Sequence, residues 1–184
     1  REGFKGVLDE VSLQADGYFN KVEDKIVALP TLFVWKMMNL GKVEILGTDI
    51  NLGTSFSFGR GMRLRLQGNW SYQHAVDVTS SKDKNYKDQI PYTPRNSGSL
   101  SVSFLNGWVN AGYLMSAVGE RYSLPQNTEQ NRIDGYVEHS VSLNRSFDIK
   151  ECTLQLQLEC QNFTDVQYDV IQYYPMPGRS YRFT

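Results

Sequence analysis

The sequence predicts an all-β protein, an antiparallel up-and-down meander of about eight strands. Two observations carry this prediction. Apolar and polar residues alternate strictly in many segments, and short tight links alternate with long polar loops between those segments. Because successive side chains of a strand point to opposite faces, such segments are typical of strands that lie between two different environments.

The clearest example of this alternation is the segment 152–161. Its even positions are Cys, Leu, Leu, Leu and Cys, whereas its odd positions are Thr, Gln, Gln, Glu and Gln. Several of the segments approach the length of about ten residues that a tilted transmembrane strand needs. The same pattern predicts further strands at 11–20, 46–58, 62–73, 99–104, 109–117, 137–147 and from residue 179 onward.

The lengths of the connections give the second signal. Short links are predicted at 59–61, 106–107 and 149–151, and long polar loops at 79–96, 123–134 and 166–177. Neighbouring strands of a meander run in opposite directions, so all short links fall at one end of the sheet and all long loops at the other. This asymmetry is typical of outer-membrane barrels.

A soluble sheet with its apolar face on a protein core would explain the alternation equally well. Three observations favour a membrane barrel. The polar face carries Ser, Asn, Gln, Asp, Arg and Gly with few lysines, and no segment is left over to cover a second sheet. Aromatic residues also gather at the strand ends nearest the long loops, as expected at a membrane interface. They are Tyr18, Phe19, Trp70, Tyr72, Tyr122 and Tyr136.

Several classes of function receive no support from the sequence. The net charge of -1 does not indicate a nucleic-acid-binding protein. His74 and His139 lie on different predicted strands, and no cluster has the spacing of metal ligands. Cys152 and Cys160 share one strand at a separation of more than about 20 Å, too far for a disulfide. We therefore predict no catalytic residue, no bound metal and no cofactor, and we do not expect an enzyme.

Five short motifs occur in a fixed order along the chain. They are Asn20–Ile26, Gly47–Asp49, Ile90–Pro94, Gln161–Asp165 and Tyr174–Arg182. Each motif is weak alone, but the ordered set resembles the C-terminal barrel of TonB-dependent outer-membrane receptors, in a form that looks typical of Bacteroidetes. The pairing of Asn-Phe-Thr-Asp with Pro-Gly-Arg is the most specific part.

The resemblance implies a barrel of about 22 strands around a lumen that a separate N-terminal plug domain fills. Residues 1–184 are then expected to be its C-terminal part, without the plug and the earlier strands. The implied function is energy-coupled uptake of a scarce nutrient, such as a chelated metal (for example a siderophore complex), a vitamin or a glycan. The implied partners are outer-membrane lipid, the protein's own plug domain, the periplasmic TonB protein and an unknown nutrient. The alternative is a soluble glycan-binding β module.

Candidate site residues fall into two sets. At the long-loop end, tyrosine offers a stacking face and a hydroxyl, and arginine offers a fixed charge. The candidate ligand contacts there are Tyr86, Tyr92, Arg121, Tyr122, Tyr173 and Tyr174. The candidates for facing the lumen or the plug are Arg63, Arg65, Glu138, Arg179 and Arg182.

Two glycines in the motifs have expected roles. Gly47 is expected to mark a place where another backbone approaches closely. Gly178 is expected to let the chain turn from the last long loop into the last strand.

Overall fold

The computed structural model describes residues 6–30, 34–150 and 152–184, and the regular structure in these ranges is almost entirely strand. Single 3-10 turns at Gly59–Gly61 and Glu129–Asn131 are the only helical pieces described. In the same ranges, no helix has the length and apolar character needed to cross a membrane. The strands are β1 Val7–Pro30, β2 Trp35–Phe58, β3 Met62–Asp77, β4 Asn96–Leu105, β5 Asn110–Val118, β6 Arg121–Tyr122, β7 Arg132–Ile133, β8 Tyr136–Ile149, β9 Cys152–Gln161, β10 Asp169–Ile171, β11 Tyr174–Pro175 and β12 Ser180–Phe183.

Eight of these strands form one antiparallel sheet in the order β1-β2-β3-β4-β5-β8-β9-β12. The remaining four form two small hairpins, β6 with β7 and β10 with β11, inside the long loops. The predicted meander is therefore confirmed. The tight links join β2 to β3, β4 to β5 and β8 to β9, as predicted, although Glu151 in the last link lies outside the described residues.

Different local chemistry closes two of the tight links. Gly61 has a φ of 74°, a left-handed conformation that glycine adopts without strain. In the link between β4 and β5, Oδ1 of Asn106 accepts hydrogen bonds from the backbone N–H groups of Trp108 (2.7 Å) and Val109 (2.9 Å). Gly107 is not in the left-handed region. The side chain of Asn106 thus holds this link, which spans residues 106–109 and not only the predicted 106–107.

The register of the large sheet separates two faces. We call the apolar side the outer face and the polar side the inner face. One outer row crosses all eight strands as Val11, Thr54, Leu66, Val102, Tyr113, Val141, Cys160 and Tyr181. The inner row beside it reads Glu10, Ser55, Arg65, Ser103, Gly112, Ser142, Glu159 and Arg182.

The two faces exchange character near the long-loop end of β1 and β2. Beyond Phe19, the outer face carries the ion pair between Lys21 and Glu44, with its charged atoms 3.0 Å apart. On the inner face, Ile45 pairs with Ala75, and both are buried. The buried cluster here is Leu40, Val43, Ile45, Ala75 and Ile90, the last of which comes from the loop after β3.

β1 and β2 are longer than the sequence predicted, at 24 residues each. Their register continues from Phe19–Leu46 to Pro30–Trp35 at the tip of the hairpin. The simple alternation fails in this extension because the inner face is covered by a loop while the outer face is charged. A prediction based on one apolar side per strand therefore makes β1 and β2 too short.

Candidate functional site

The candidate site is the group of three long loops at the end of the sheet opposite the tight links. We call them loop A (78–95), loop B (119–135) and loop C (162–179). Loop A binds loop B through the backbone N–H of Tyr92, which donates to the carbonyl oxygen of Tyr122 at 2.7 Å. The backbone N–H of Asn127 also donates to the carboxylate of Asp88, at 3.0 Å. The loops are thus joined to one another as well as to the sheet.

Arg121 joins loop B to loop C. It is buried, with only 4% of its surface exposed. Its Nη2 donates to the carbonyl oxygens of Asp169 (2.5 Å) and Val170 (3.0 Å). Its guanidinium carbon lies 5.8 Å from the centre of the Tyr136 ring. Buried donors that bind two carbonyl groups of another loop fix the relative position of the two segments.

The charge of Arg121 is held in a mostly desolvated setting. Burial lowers the pKa of its guanidinium from the ordinary value, and Tyr136, Tyr92 and Asp169 act in the opposite direction through charge. The ordinary pKa of arginine is so high that the side chain stays cationic at neutral pH. Its Nη1 has no hydrogen-bond partner among the described residues. This buried N–H group is therefore available to an acceptor from outside the described residues.

Tyr92 is the second ordered residue of the candidate set. It is half-buried and has a φ of 55°, which is unusual for a residue with a side chain. Burial raises the pKa of its hydroxyl, although a hydrogen bond with the Gln172 backbone and the charge of Arg121 both act to lower it. Tyr92 therefore contacts both other loops, and its ring is part of their packing.

A stack of two tyrosines lies beside Arg121. The sequence did not predict that these two residues belong to the candidate site. The rings of Tyr136 and Tyr168 are 3.8 Å apart between centroids and nearly parallel. The Tyr168 hydroxyl donates to the carboxylate of Glu138, and Ser140 donates to the other oxygen at 3.4 Å. Burial, followed by the contact with Glu138, raises the pKa of Tyr168 well above its ordinary value. Only Glu138 of this group was predicted to face the lumen.

The remaining candidate tyrosines are more exposed. Tyr173 has 72% of its surface exposed, and Tyr86 and Tyr174 are also exposed, whereas Tyr122 is half-buried. Tyr173 lines a cleft of about 370 Å³ between loops B and C, together with Arg132, Asp169 and Gln172. The structure brings Tyr92, Arg121 and Tyr122 together and leaves Tyr86 exposed on loop A. Ligand binding by these residues stays a prediction.

The candidates for facing the lumen take different positions. Arg63, Arg65, Glu138 and Arg182 lie on the inner face by register. Arg182 pairs with Glu159 across the last two strands, with charged atoms 3.6 Å apart. Neither Arg63 nor Arg65 forms an ion pair with a described residue. Arg179 precedes β12, and its backbone N–H donates to Oδ1 of Asp165.

The two most specific sequence motifs meet at the base of loop C. Asn162 is buried, and its amide donates to the carbonyl oxygen of Val166 (2.9 Å) and accepts from the Val166 N–H (3.0 Å). Asn162 and Asp165 both have left-handed backbone conformations, which asparagine and aspartate tolerate. The Asn-Phe-Thr-Asp motif is therefore a loop-closing device, and no ligand role follows from it.

Both expected glycine roles need correction. At Gly47, the space that a side chain would take is filled by the ring of Tyr18, so a side chain approaches and not another backbone. Gly178 does not have a positive φ. A Cβ there would lie 2.6 Å from Oδ1 of Asp165, so the small residue is needed for space and not for the turn.

No group of three or more His, Cys, Asp or Glu side chains in the described ranges is arranged to hold a metal ion. His139 lies in an outer row, where its Nδ1 is 2.8 Å from the Tyr113 hydroxyl. Cys152 and Cys160 are both free.

Comparison with known proteins identifies the family. A family model described as TonB dependent receptor-like, beta-barrel matches residues 3–163. The sequence has no significant match among curated proteins. Among solved structures, the chain is similar to the siderophore receptor PiuA from Acinetobacter baumannii, with a TM-score of 0.70 at 15% identity over 94% of this chain and 25% of that one.

Two further solved structures share the fold. One is the copper transporter OprC, with a TM-score of 0.65 and 19% identity over 94% of this chain and 27% of the other. Another is the ferric yersiniabactin uptake receptor FyuA from Yersinia pestis, with a TM-score of 0.60 and 19% identity over 97% of this chain and 27% of the other. The chain thus spans about a quarter of the length of these receptors. Because the family model covers most of the sequence, the chain belongs to the TonB-dependent receptor-like β-barrel family of the bacterial outer membrane.

Proposed function

We propose that residues 1–184 form the C-terminal strands of an outer-membrane receptor that takes up a scarce nutrient by energy coupling through the periplasmic TonB protein. The family assignment and the meander support this proposal. The observation that carries the ligand-binding part is the joined set of loops A, B and C. A binding surface whose loops are already fixed loses less conformational entropy when the ligand binds.

The contacts with the nutrient come from tyrosines of the joined loops, namely the half-buried Tyr122 and the exposed Tyr86, Tyr173 and Tyr174. Tyr92 and Arg121 take part mainly by positioning the loops, since both are occupied by contacts between them. Tyrosine rings give a large stacking surface with a hydrogen-bonding tip. This chemistry suits a bulky organic ligand with polar groups.

We favour an organic metal chelate over a vitamin or a glycan. The solved structures of similar fold include receptors described as acting on a siderophore and on ferric yersiniabactin. In this proposal the protein is a transporter and not an enzyme, and its soluble glycan-binding alternative has no support from the family match.

The inner face supplies the contacts with the plug domain. Arg63 and Arg65 point to that side and have no ion-pair partner among the described residues. Carboxylates of the plug are the natural partners for two fixed positive charges in a crowded lumen. Arg182 is already paired with Glu159 and contributes to the barrel wall instead.

Growth of cells that depend on the intact receptor tests the ligand proposal. The probes are a panel of ferric siderophores, cobalamin and oligosaccharides, each supplied as the limiting nutrient. A triple change of Tyr122, Tyr173 and Tyr174 to Ala should lower uptake of one probe by about tenfold or more, from the stacking energy of three rings.

Tyr181→Ala is the matched control, because Tyr181 is an exposed tyrosine on the outer face, away from the loops. Its uptake should equal that of the wild type. Normal uptake of every transported probe by the triple variant would refute the assignment of these tyrosines.

A further inference from the structure

An arginine lies on the outer face, among residues that meet lipid. Arg145 occupies an odd position of β8 between Leu143 and Phe147, and its partner on β9 is Leu156. A cation on the lipid side of a barrel is costly unless it reaches the interface or finds a partner.

Two aromatic rings flank the guanidinium of Arg145. Its carbon lies 4.8 Å from the centre of the Trp108 ring and 4.5 Å from that of Phe147. Trp108 is 66% exposed, and its backbone is fixed by the hydrogen bond to Asn106 in the tight link. Rings that cover the faces of a guanidinium leave the N–H donors at its edge free for an anion.

Within the described ranges, the guanidinium of Arg145 forms no ion pair and no hydrogen bond. The guanidinium lies over two rings, those of Trp108 and Phe147. The charge therefore has a fixed position and an unfilled set of donors.

Arg145 also lies at a specific level of the barrel. Register pairs Asn110, the first residue of β5, with Asn144. Arg145 is thus level with the tight link that carries Trp108, at the rim opposite the long loops. Tryptophan at such a rim is typical of the membrane interface, and a long arginine side chain can extend its charge toward the head groups.

We propose that Arg145, packed against Trp108 and Phe147, binds the phosphate group of a membrane phospholipid at the tight-link rim of the barrel. A phosphate accepts two parallel hydrogen bonds from the guanidinium edge and neutralises its charge. The site faces lipid, so the phosphate that reaches it belongs to a lipid head group. This inference depends on the membrane location of the barrel and not on which nutrient is transported.

The test is retention of lipid by the intact receptor. The receptor is purified in mild detergent, supplied with short-chain phosphatidylglycerol and analysed by native mass spectrometry for bound lipid. Arg145→Gln should weaken binding of one lipid molecule by about tenfold, the size of one bidentate charge-assisted contact. Inorganic phosphate at the same concentration should not displace the lipid.

Arg63→Gln is the matched control. Arg63 pairs with Leu105 beside the same tight link but lies on the inner face. Lipid binding should be unchanged in this variant. Equal loss in the two variants, or displacement of the lipid by inorganic phosphate, would overturn the proposal.

Trp108→Leu provides a second measurement that does not remove the charge. Because Trp108 is exposed in a link, this change leaves the strands intact. It should weaken lipid binding by about threefold through loss of one stacking face. If Arg145→Gln does not fold, unchanged lipid binding by Trp108→Leu alone would overturn the proposal.

Discussion

Asp165 and Arg179 close the base of loop C. Oδ1 of Asp165 accepts a hydrogen bond of 2.8 Å from the backbone N–H of Arg179. A Cβ at Gly178 would lie 2.6 Å from the same oxygen, so a side chain there would displace the carboxylate from its present position. This relationship gives a physical reason for the pairing of the Asn-Phe-Thr-Asp and Pro-Gly-Arg motifs. The first motif supplies the acceptor, and the second supplies the space and the donor.

Asp165→Ala should open the base of loop C. Loss of the acceptor leaves the Arg179 N–H without its partner, at a local cost of about 1–2 kcal/mol. We expect faster cleavage by trypsin after Arg179, which is exposed, as followed by mass spectrometry of the fragments. Asp165→Asn keeps an acceptor oxygen and should be cleaved close to the wild-type rate. Identical rates for the Ala variant and the wild type would contradict the role of this contact.

Leu158→Arg should destabilise the barrel strongly. Leu158 pairs with Leu143 on the outer face, and an arginine near the membrane midplane costs about 2–4 kcal/mol. Gln157→Arg, one residue away on the inner face, should be far milder. Leu156 is a poorer site for this test because it already lies opposite Arg145. Urea unfolding of the receptor in lipid vesicles measures the difference, and equal effects at 157 and 158 would refute the face assignment.

Tyr168 should make the loops sensitive to alkaline pH. Its folded-state pKa is raised, so its contribution to stability is complete below the ordinary tyrosine value of about 10 and is lost as pH rises through the folded value. The neutral hydroxyl donates to Glu138, and ionisation would place two negative charges together. From about pH 10 upward, the wild type should lose stability relative to Tyr168→Phe. Thermal unfolding at pH 8 and at several higher values checks this, and parallel curves for the two proteins would count against it.

The isolated 184-residue chain should associate with itself or require detergent. β1 and β12 each have one neighbour in the large sheet, so both present an edge. Open edges pair with other chains, and the outer face is a large exposed apolar surface. Sedimentation in plain buffer measures the outcome. A compact, stable monomer would show that the chain closes its own sheet.

Much of the architecture follows from the sequence alone because a strand has a period of two. The alternation in Cys152–Gln161 places its leucines on one side whatever the partner strand is, and Gly61 and Asn106 close links through local chemistry. Tight links between such strands then allow only a simple meander. The order of the large sheet and its separation into two faces were predictable for this reason.

Contacts between distant segments were decided only by the tertiary structure. Arg121 was a candidate ligand contact by its place in a loop, but its hydrogen bonds go to carbonyl groups 48 and 49 residues away. Nothing near it in the sequence specifies those partners. The stack of Tyr136 on Tyr168 and the position of Tyr18 over Gly47 are of the same kind.

The sequence by itself determined which side chains share a face, because that depends only on the backbone period within a strand. The tertiary structure decided what each face meets. In β1 and β2, the inner side changes from polar to apolar where loop A folds over it, and Ile90 then packs against Ala75. On β8, the alternation that places Leu143 on the outer face also places Arg145 on that face. The ring of Trp108 that contacts Arg145 comes from the link between β4 and β5. The period of a strand determines the face on which each side chain lies. The groups that a side chain contacts depend on strands and loops that are far apart in the chain.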